Sequence, residues 1–419
     1  MSRAALALML LPGLAAAQSL PETVRLALAH EPVILAADAD LAAARAGMDE
    51  AHSNARPKLL LSGEVGRSNL QTTAPFPESG ARWPNTLSVS LSQPVYTGGA
   101  LSAQSEMARL RVDAEQFSGQ DTRVRVAIEA IAAYAGVVRD QSLLALYIDS
   151  LATLTQAALD ADKRFQAGEV TKTDVAQAKA RQAEGEAQVA QAKASLAISM
   201  ADYERLTGVP PQDLPSRYPE LPLPNSLDQA LEKAMFNPAL GAAQRQAEAV
   251  KQDITLAESE HKPQVSVEAR GTTQDNTDFG FDRLNGWGAY VKAQVSLFDS
   301  GRTDSRTRAA QARSAAAQQR VADLAARTRQ EMNSAWQQWQ AAKASVPALK
   351  AGVEAAELAR DSTKKELAVG TRTTLDLLNA EQELLAAKIH LLLKEQDRSL
   401  ASYQVLAVIG DLSVLTGAR

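Results

Sequence analysis

The chain repeats itself, and this internal duplication restricts its possible folds more than any other feature. Six short segments of the first half recur in the same order in the second half. The spacing between equivalent residues falls only from 207 positions, for Leu20 and Leu227, to 202 positions, for Gly168 and Gly370. One match would mean little, but six in one order indicate two copies of a single unit. Each copy is predicted to contain a helix, two strands, a long helix, a tight turn and a last helix.

The repeats divide the chain into five predicted segments. A stretch with six prolines separates the two copies, and so much proline favours an extended linker over a helix. Before the first copy, Arg3 precedes a short apolar run that ends in Ala15, Ala16 and Ala17. This pattern is typical of a secretory signal peptide, and a buried helix is the alternative. The predicted boundaries are a signal peptide at 1–17, a first repeat at 18–208, the linker at 209–225, a second repeat at 226–410 and a C-terminal tail at 411–419.

Composition argues against several classes of protein. Cysteine is absent, which excludes disulfides, thiolate metal sites and cysteine nucleophiles. The four histidines are scattered without metal-ligand spacing, and the sequence has neither a Gly-rich phosphate loop after a strand nor a paired-carboxylate signature. A net charge of −5 without a basic block argues against nucleic acid as a partner. We therefore predict no catalytic residue, no metal site and no cofactor, in a protein that is not an enzyme.

Four segments alternate apolar and polar side chains. In the clearest of them Trp287, Val291 and Val295 share one face, whereas Tyr290 and Lys292 share the other. This period is typical of transmembrane barrel strands, and a strand of a soluble sandwich with one wet face is the alternative. Beyond the signal peptide we find no uninterrupted apolar run of the length that a membrane helix needs, so any membrane span is predicted to be β. The four predicted strands are 58–66, 86–95, 264–272 and 287–297.

Four strands are too few to close a barrel. Lipid does not tolerate the unpaired backbone of an open sheet edge, so the chain must share its barrel with copies of itself. Two copies would supply eight strands around a filled interior, and three would supply twelve strands around a lumen. A homotrimer is therefore the smallest predicted assembly that can conduct.

Long helices are predicted for most of the remaining chain. The segment 101–163 lacks proline and would extend over roughly 90 Å at 1.5 Å per residue. Its counterpart 302–366 contains Pro347, which is expected to interrupt and kink it. Leucines recur at seven-residue intervals, for example at Leu377 and Leu384, as they do in a coiled coil. Periodicity alone leaves an ordinary soluble helical bundle as the alternative.

Two tight helical turns are predicted at equivalent places in the repeats. Gly168 and Gly370 lie where a helix end needs a left-handed residue, and Thr171 and Thr373 can cap the helices that follow. Three positions after each threonine, an aspartate suits the positive end of the helix dipole. The main predicted role of these residues is structural.

The same turns would repeat around the axis of a trimer. Asp174 or Asp376 would then form an acidic ring at a mouth of the assembly. Arg372 could bridge to Asp174 of a neighbouring hairpin. This predicted function adds to the structural role of the turns.

The chain resembles the TolC family of outer-membrane channel proteins. The resemblance covers nearly all of the chain after the signal peptide. It rests on the duplication, on the strand ends at 96–99 (YTGG) and 298–301 (FDSG), and above all on the hairpin at 369–376 (VGTRTTLD). It implies a mainly α-helical protein of the bacterial outer membrane with a large periplasmic portion. Four transmembrane β-strands per chain would join a trimeric twelve-stranded barrel in outer-membrane lipid, below which runs a long coiled-coil α-helical tunnel.

The resemblance also implies a function. Members of the family are passive ducts for the export of proteins or small molecules, in type I secretion or drug efflux. They work with a periplasmic adaptor (membrane fusion) protein and an inner-membrane transporter. The missing lipid-attachment cysteine favours type I secretion or shared use over the lipid-anchored efflux branch. The alternative from another class is a soluble periplasmic coiled-coil scaffold or adaptor, in which the apolar strand faces would pack in a core.

Hairpin residues receive roles from the same resemblance. Arg372 matches a gate arginine, and Thr173 and Asp174 match its partners. Asp376 matches the first of two aspartates that constrict the pore. These four residues, together with positions Leu367 and Asn379, form the predicted gate and constriction.

Two positions depart from the family pattern. Leu367 stands where the pattern has a gate tyrosine, and Asn379 stands where it has the second constricting aspartate. Both departures imply an entrance that is less tightly locked and attracts cations less. The hairpin tips that would contact the adaptor are Gly168, Thr171, Gly370 and Thr373.

Overall fold

The computed structural model describes residues 18–71, 73, 80–216, 218–219, 221–276 and 282–411. The predicted signal peptide at 1–17 lies outside the described residues, as does the predicted tail beyond Asp411. The described chain forms two compact units. The first comprises the described residues of Met1–Ala36, Gly119–Pro238 and Ala325–Arg419, and the second those of Ala37–Ser118 and Ala239–Leu324.

Helices make up most of the described chain. They are α1 (Leu20–His30), α2 (Pro32–Ser53), α3 (Ala100–Gln166), α4 (Lys172–Thr207), α5 (Leu227–Ala234), α6 (Pro238–Glu258), α7 (Arg302–Ala368) and α8 (Thr374–Ile409). A single 3₁₀ turn, Ser259–His261, follows α6. The strands are β1 (Lys58–Val65), β2 (Ser68–Leu70), β3 (Gly80–Arg82), β4 (Asn85–Tyr96), β5 (Gln264–Asp275) and β6 (Arg283–Gln294).

The long helices repeat at a constant offset. α3 and α7 have 67 residues each, and α4 and α8 have 36 residues each. The second pair begins 202 positions after the first, since 302 − 100 and 374 − 172 give the same value. Each copy ends at a left-handed glycine, Gly208 (φ 74°) or Gly410 (φ 85°). The predicted internal duplication is confirmed.

Helix α7 runs through Pro347 without a break, so the expected interruption there is wrong. A proline inside a helix removes one backbone hydrogen bond and clashes with the preceding turn, at a cost of about 3 kcal/mol. The remaining backbone bonds of so long a helix, together with packing of the adjacent Val346, which is 3% exposed, outweigh that cost.

Buried tyrosines from three helices lie in the core of the first unit. Tyr134 of α3, Tyr203 of α4 and Tyr403 of α8 are at most 1% exposed. The Tyr134 hydroxyl donates to the carbonyl oxygen of Pro215 (2.5 Å), and the Tyr403 hydroxyl donates to that of Pro219 (3.4 Å). Burial raises the pKa of both hydroxyls, so they stay protonated and can donate. The described part of the proline-rich segment forms no helix or strand and is tied to this core.

The second unit contains an antiparallel sheet in the order β1-β4-β5-β6, so β1 and β6 are its edge strands. The register of β4 on β5 shifts between Pro94 and Tyr96. A bulge at this point is expected because proline cannot donate a ladder hydrogen bond. β2 and β3 form a separate two-stranded ribbon. The ribbon was not predicted, because strands of three residues are too short to show a period of two.

The last predicted strand is displaced in the structure. β6 spans Arg283–Gln294 rather than 287–297, so Val295 and Leu297 lie beyond its last ladder position. The apolar alternation continues past the strand end, which explains why the sequence pattern placed it too far along the chain.

The turn from β4 into α3 requires glycine. Gly98 has a φ of 65°, a conformation that side chains with a Cβ rarely adopt. A Cβ at this position would lie 2.6 Å from the Cβ of Lys262 and 3.0 Å from the carbonyl oxygen of Ser259. The turn therefore packs directly against the connection between α6 and β5.

One described helix passes a simple test for a membrane span. Helix α3 contains an 18-residue window that is apolar enough by length and composition, and only 11% of that window is buried within the chain. The sequence prediction concerned an uninterrupted apolar run, whereas this window is defined by its mean hydropathy and admits charged residues, so it does not contradict that prediction. A single window is weak evidence for a span, because exposed apolar residues on a long helix are also typical of helix–helix contacts.

Candidate functional site

The first hairpin turn joins α3 to α4 and is closed by backbone and side-chain bonds. Gly168 (φ 78°) follows the end of α3, and the Glu169 N–H donates to the Arg164 carbonyl oxygen (2.8 Å). Thr171 caps α4, because its Oγ1 accepts from the Asp174 N–H (3.3 Å) while its own N–H donates to Asp174 Oδ2 (2.8 Å). This reciprocal capping box satisfies two otherwise unpaired backbone donors.

The second hairpin turn joins α7 to α8 in the same way. Gly370 has a φ of 80°, and the Thr371 N–H donates to the Glu366 carbonyl oxygen (3.0 Å). Thr373 Oγ1 accepts from the Asp376 N–H (3.2 Å), and Asp376 Oδ2 accepts from the Thr373 N–H (2.9 Å). The structural role predicted for both turns is confirmed in detail.

The two capping aspartates are ionised at neutral pH. Hydrogen bonds from the threonine backbone and then from the threonine hydroxyl lower the pKa of both Asp174 and Asp376. Each carboxylate also lies at the positive end of a helix, which favours its charged form. Both residues are partly exposed, so each adds a fixed negative charge to its turn.

Each turn also contains an ion pair, and the polarity is reversed between the two. In the first hairpin Arg164, on the helix, contacts Glu169 in the loop, with Nε and Oε2 3.0 Å apart. In the second, Glu366 is on the helix and Arg372 in the loop, with the same atoms 2.9 Å apart. The glutamate raises the pKa of Arg372 by hydrogen bonding and by its charge.

Within one chain Arg372 therefore binds Glu366 and not Asp174. Glu366 was missed in the sequence analysis, although an acidic residue six positions before an arginine across a glycine turn is a usable signal. Thr173 and Asn379 are exposed, and Leu367 is partly buried. The contact of Arg372 with a neighbouring Asp174 stays a prediction.

Leu378 attaches the second hairpin to the first. It is 1% exposed and packs in a cluster with Leu154 and Ala158 of α3 and Val175 of α4. Asp376 and Asn379 flank it in sequence, so this apolar contact sets the position of the predicted constriction residues. Leu378 also belongs to a seven-residue leucine pattern, with Leu385 and Leu392, which is the sequence signal for its burial.

The four-stranded sheet separates its side chains by polarity, as the alternation predicted. Register places Leu61, Val89, Gly271 and Trp287 in one row across the strands, and Ser62, Ser88, Thr272 and Gly286 in the next row, on the opposite face. The hydroxyls of Ser62 and Ser88 are 2.7 Å apart. One face is therefore apolar and the other is lined by hydroxyl and charged groups.

The apolar face is exposed in the single chain. Trp287 is 89% exposed, Val291 73% and Leu87 53%. A soluble scaffold would bury these residues in a core, so the structure contradicts that alternative. An apolar surface of this kind is typical of a surface that contacts lipid.

Comparison with known proteins identifies the family. The family described as outer membrane efflux protein matches residues 23–209 and 227–411, which is one match in each repeat. The outer membrane efflux protein BepC of Brucella suis is 30% identical over 387 residues, covering 90% of this chain and 83% of BepC. The alkaline protease secretion protein AprF of Pseudomonas aeruginosa is 25% identical over 395 residues, covering 91% of this chain and 82% of AprF.

A solved structure shares the fold. The outer membrane protein VceC of Vibrio cholerae superposes with a TM-score of 0.81 at 21% identity, covering 93% of this chain and 96% of VceC. The resemblance to the TolC family found in the sequence is confirmed by the family match and by TolC itself among the relatives. The chain therefore belongs to the outer membrane efflux protein family, whose members are export channels of the bacterial outer membrane rather than enzymes.

Proposed function

We propose that three copies of this chain assemble into one passive export duct without catalytic activity. The observation that carries the proposal is the open sheet, with unpaired edges at β1 and β6 and an exposed apolar face. The unpaired edges are not stable in lipid, because their backbone groups have no partner there, and the exposed apolar face is not stable in water. Pairing β6 of one copy with β1 of the next closes twelve strands, with the apolar face towards outer-membrane lipid and the polar face towards a lumen.

Crosslinking between sheet edges tests this assembly. The chain has no cysteine, so a pair introduced on β1 and β6 reports one contact only. We expect Ser62→Cys, combined in turn with cysteines along β6, to give covalent dimers and trimers at one β6 position. A control pair in the registered central strands, Ser88→Cys with Thr272→Cys, should crosslink only within a chain. Only monomers at every β6 position would contradict the proposal.

The predicted gate is compatible with the contacts of the turns. Glu366 occupies the Nε of Arg372, which leaves the terminal nitrogens of the guanidinium for a second carboxylate. Asp174 uses Oδ2 for its cap, which leaves Oδ1 for such a donor. We propose that Arg372 of one hairpin and Thr173 and Asp174 of a neighbouring hairpin lock the periplasmic end.

The constriction would then carry one carboxylate per chain. Asp376 supplies that charge, since Asn379 is neutral, and Leu367 supplies no hydrogen bond to the lock. Three carboxylates around a narrow mouth attract cations less than six would. We propose that this entrance is correspondingly less tightly locked and less cation-attracting.

Single-channel recording tests the lock. Arg372→Ala is expected to raise the conductance of purified channels in planar bilayers, because it removes a contact that holds the end closed. The matched control is Arg164→Ala, which breaks the equivalent ion pair of the first hairpin and should leave conductance near the wild-type value. Equal conductance of Arg372→Ala and wild type would contradict a lock at this residue.

The duct needs partners to move cargo. We propose that the tips around Gly168, Thr171, Gly370 and Thr373 receive a periplasmic adaptor, which joins the duct to an inner-membrane transporter that supplies the energy. The relatives are named for alkaline protease secretion and for efflux, which supports export of proteins or small molecules. Co-purification after crosslinking at the tips would identify the adaptor, and its absence would contradict this docking site.

A further inference from the structure

Most charged residues of the sheet lie on its polar face. The four strands contain seven charged side chains, and five of them share that face. The other two, Asp275 and Arg283, are registered partners on the apolar face, and their charges cancel in an ion pair of 2.6 Å. The net charge of the sheet therefore belongs to the polar face; the five residues on it are Lys58, Glu64, Glu268, Arg270 and Lys292.

Three of these residues are cations in adjacent rows. Arg270 is registered with Gly288, Glu268 with Tyr290, and Ser266 with Lys292. Lys58 lies in the same row as Glu268, because both are registered with Ser92 of β4. Rows on one face are about 6.8 Å apart, so the three cations lie within roughly 14 Å along the strands. We call Lys58, Arg270 and Lys292 the cationic belt.

The belt is only partly neutralised. Glu268 is the carboxylate within it, and its Oε1 lies 4.0 Å from the Nζ of Lys292. Lys58 donates to Asn54, which carries no charge (3.0 Å), and among the described residues Arg270 has no carboxylate within 4 Å. Three cations and one anion leave two positive charges per chain.

Side chains beside the belt leave it open to solvent. The ring of Tyr290 lies back along its own strand over Gly288, where a Cβ would lie 2.6 Å from the ring carbon Cζ. Ser90, Ser92 and Ser266 are small and polar neighbours on this face, and Leu60 is an apolar one, registered with Ser90 in the row of Arg270. Arg270 and Lys292 are both exposed.

We propose that the cationic belt makes the lumen of the barrel select for anions and anionic segments of cargo. The proposal rests on the assembly proposed above, in which the polar face lines the lumen and three copies bring six net positive charges into one ring. The three Glu64 carboxylates lie outside this ring, two rows beyond Arg270 on the same face. Rings of lysine and arginine favour anions in pores, because a low-dielectric wall focuses their field. The barrel would thus attract anions, whereas the acidic mouth formed by Asp376 would attract cations.

Thiol reagents of opposite charge measure the electrostatic potential beside the cationic belt, and they do not have to pass through the closed end to reach it. Ser266→Cys places a thiol opposite Lys292, and Ser90→Cys places one opposite Arg270, each the only cysteine in the chain. On whole cells we would compare the rates of an anionic and a cationic methanethiosulfonate reagent that enter from outside. We expect the ratio of the anionic to the cationic reaction rate to be about threefold or more above the same ratio for a free thiol in solution.

Charge removal supplies the decisive comparison. Arg270→Gln and Lys292→Gln should each lower the ratio of anionic to cationic rates by about twofold to fourfold at both reporter positions. The matched control is Arg283→Gln, which removes the same charge from the apolar face and should leave the ratio unchanged. Ratios that are insensitive to Arg270 and Lys292 would overturn the belt while leaving the channel intact.

The two proposals fail in different ways. Cysteines that react with neither reagent in folded protein would mean that the polar face is not in a water-filled lumen, and the proposed assembly would then fail together with the belt. Cysteines that react readily but without preference for either charge would overturn only the belt. Two reporter positions are used so that poor folding of one variant does not decide the result.

Discussion

Replacing Leu378 by alanine should loosen the contact between the two hairpins. The side chain is 1% exposed and packs against residues of α3 and α4, including Leu154 and Val175. The change removes about three buried carbon groups at roughly 0.8 kcal/mol each, and the cavity left behind adds to this loss. We expect a cost of about 3 kcal/mol, which corresponds to about a 150-fold rise in the population with the hairpins apart.

Hydrogen exchange read by mass spectrometry measures that population. Backbone amides at the start of α4 and α8 should exchange through local opening, so their rates should rise with the opening equilibrium. Amides in the tyrosine core of the first unit, around Tyr134 and Tyr403, should keep wild-type protection. The purified, detergent-solubilised protein is the appropriate sample, because it keeps the hairpins in the proposed assembly.

A residue one turn away provides the control. Leu375 is 38% exposed, so Leu375→Ala removes the same groups from a partly wetted site and should accelerate exchange less than about tenfold. If the two variants accelerated exchange equally, or if Leu378→Ala left the tips fully protected, the packing role assigned to Leu378 would be refuted.

Two further predictions concern glycine and pH. Gly98→Ala should lower the thermal unfolding midpoint, because the added Cβ would lie 2.6 Å from the Cβ of Lys262. The control Gly47→Ala has open space around the added Cβ and should keep or raise the midpoint. Equal midpoints of the two variants would contradict the reasoning. The pKa values of Asp174 and Asp376 are lowered in the folded turns, so the unfolded chain binds more protons. Their stabilisation is complete above the ordinary aspartate pKa of about 4 and is lost as pH falls through the lower folded values. Exchange at the first turns of α4 and α8, corrected for intrinsic rates, should therefore rise at acidic pH, and a flat profile would contradict the caps.

Features with a local physical cause were predictable from the sequence. Both turns follow from a glycine, a threonine and an aspartate within seven positions, and the structure forms both capping boxes. The strand faces follow from a period of two, which the pleat of any strand imposes. The duplication was visible because it preserved spacing as well as residue type, as at Gly168 and Gly370.

Features that depend on competition between alternative contacts, or on contacts between residues far apart in the sequence, were not predictable in the same way. Arg372 has several carboxylates within reach of a flexible side chain, and the nearest in its own turn, Glu366, binds it in the single chain. Pro347 lowers helix propensity, yet the helix continues because packing over many turns outweighs one lost bond. The ribbon of β2 and β3 is stabilised by pairing, which a three-residue pattern does not reveal.

The two unpaired strands at the margins of the sheet have a consequence for biogenesis. In the proposed assembly, neighbouring copies cover β1 and β6. Until they do, a newly exported chain displays a template on which any other extended polypeptide can add, next to a surface rich in Leu, Val and Trp. Such a species is prone to aggregate, so its lifetime in the periplasm must be short. The first unit has a tyrosine core of its own, so this hazard is confined to the sheet of the second unit and ends when the proposed pairing of subunits covers its edges.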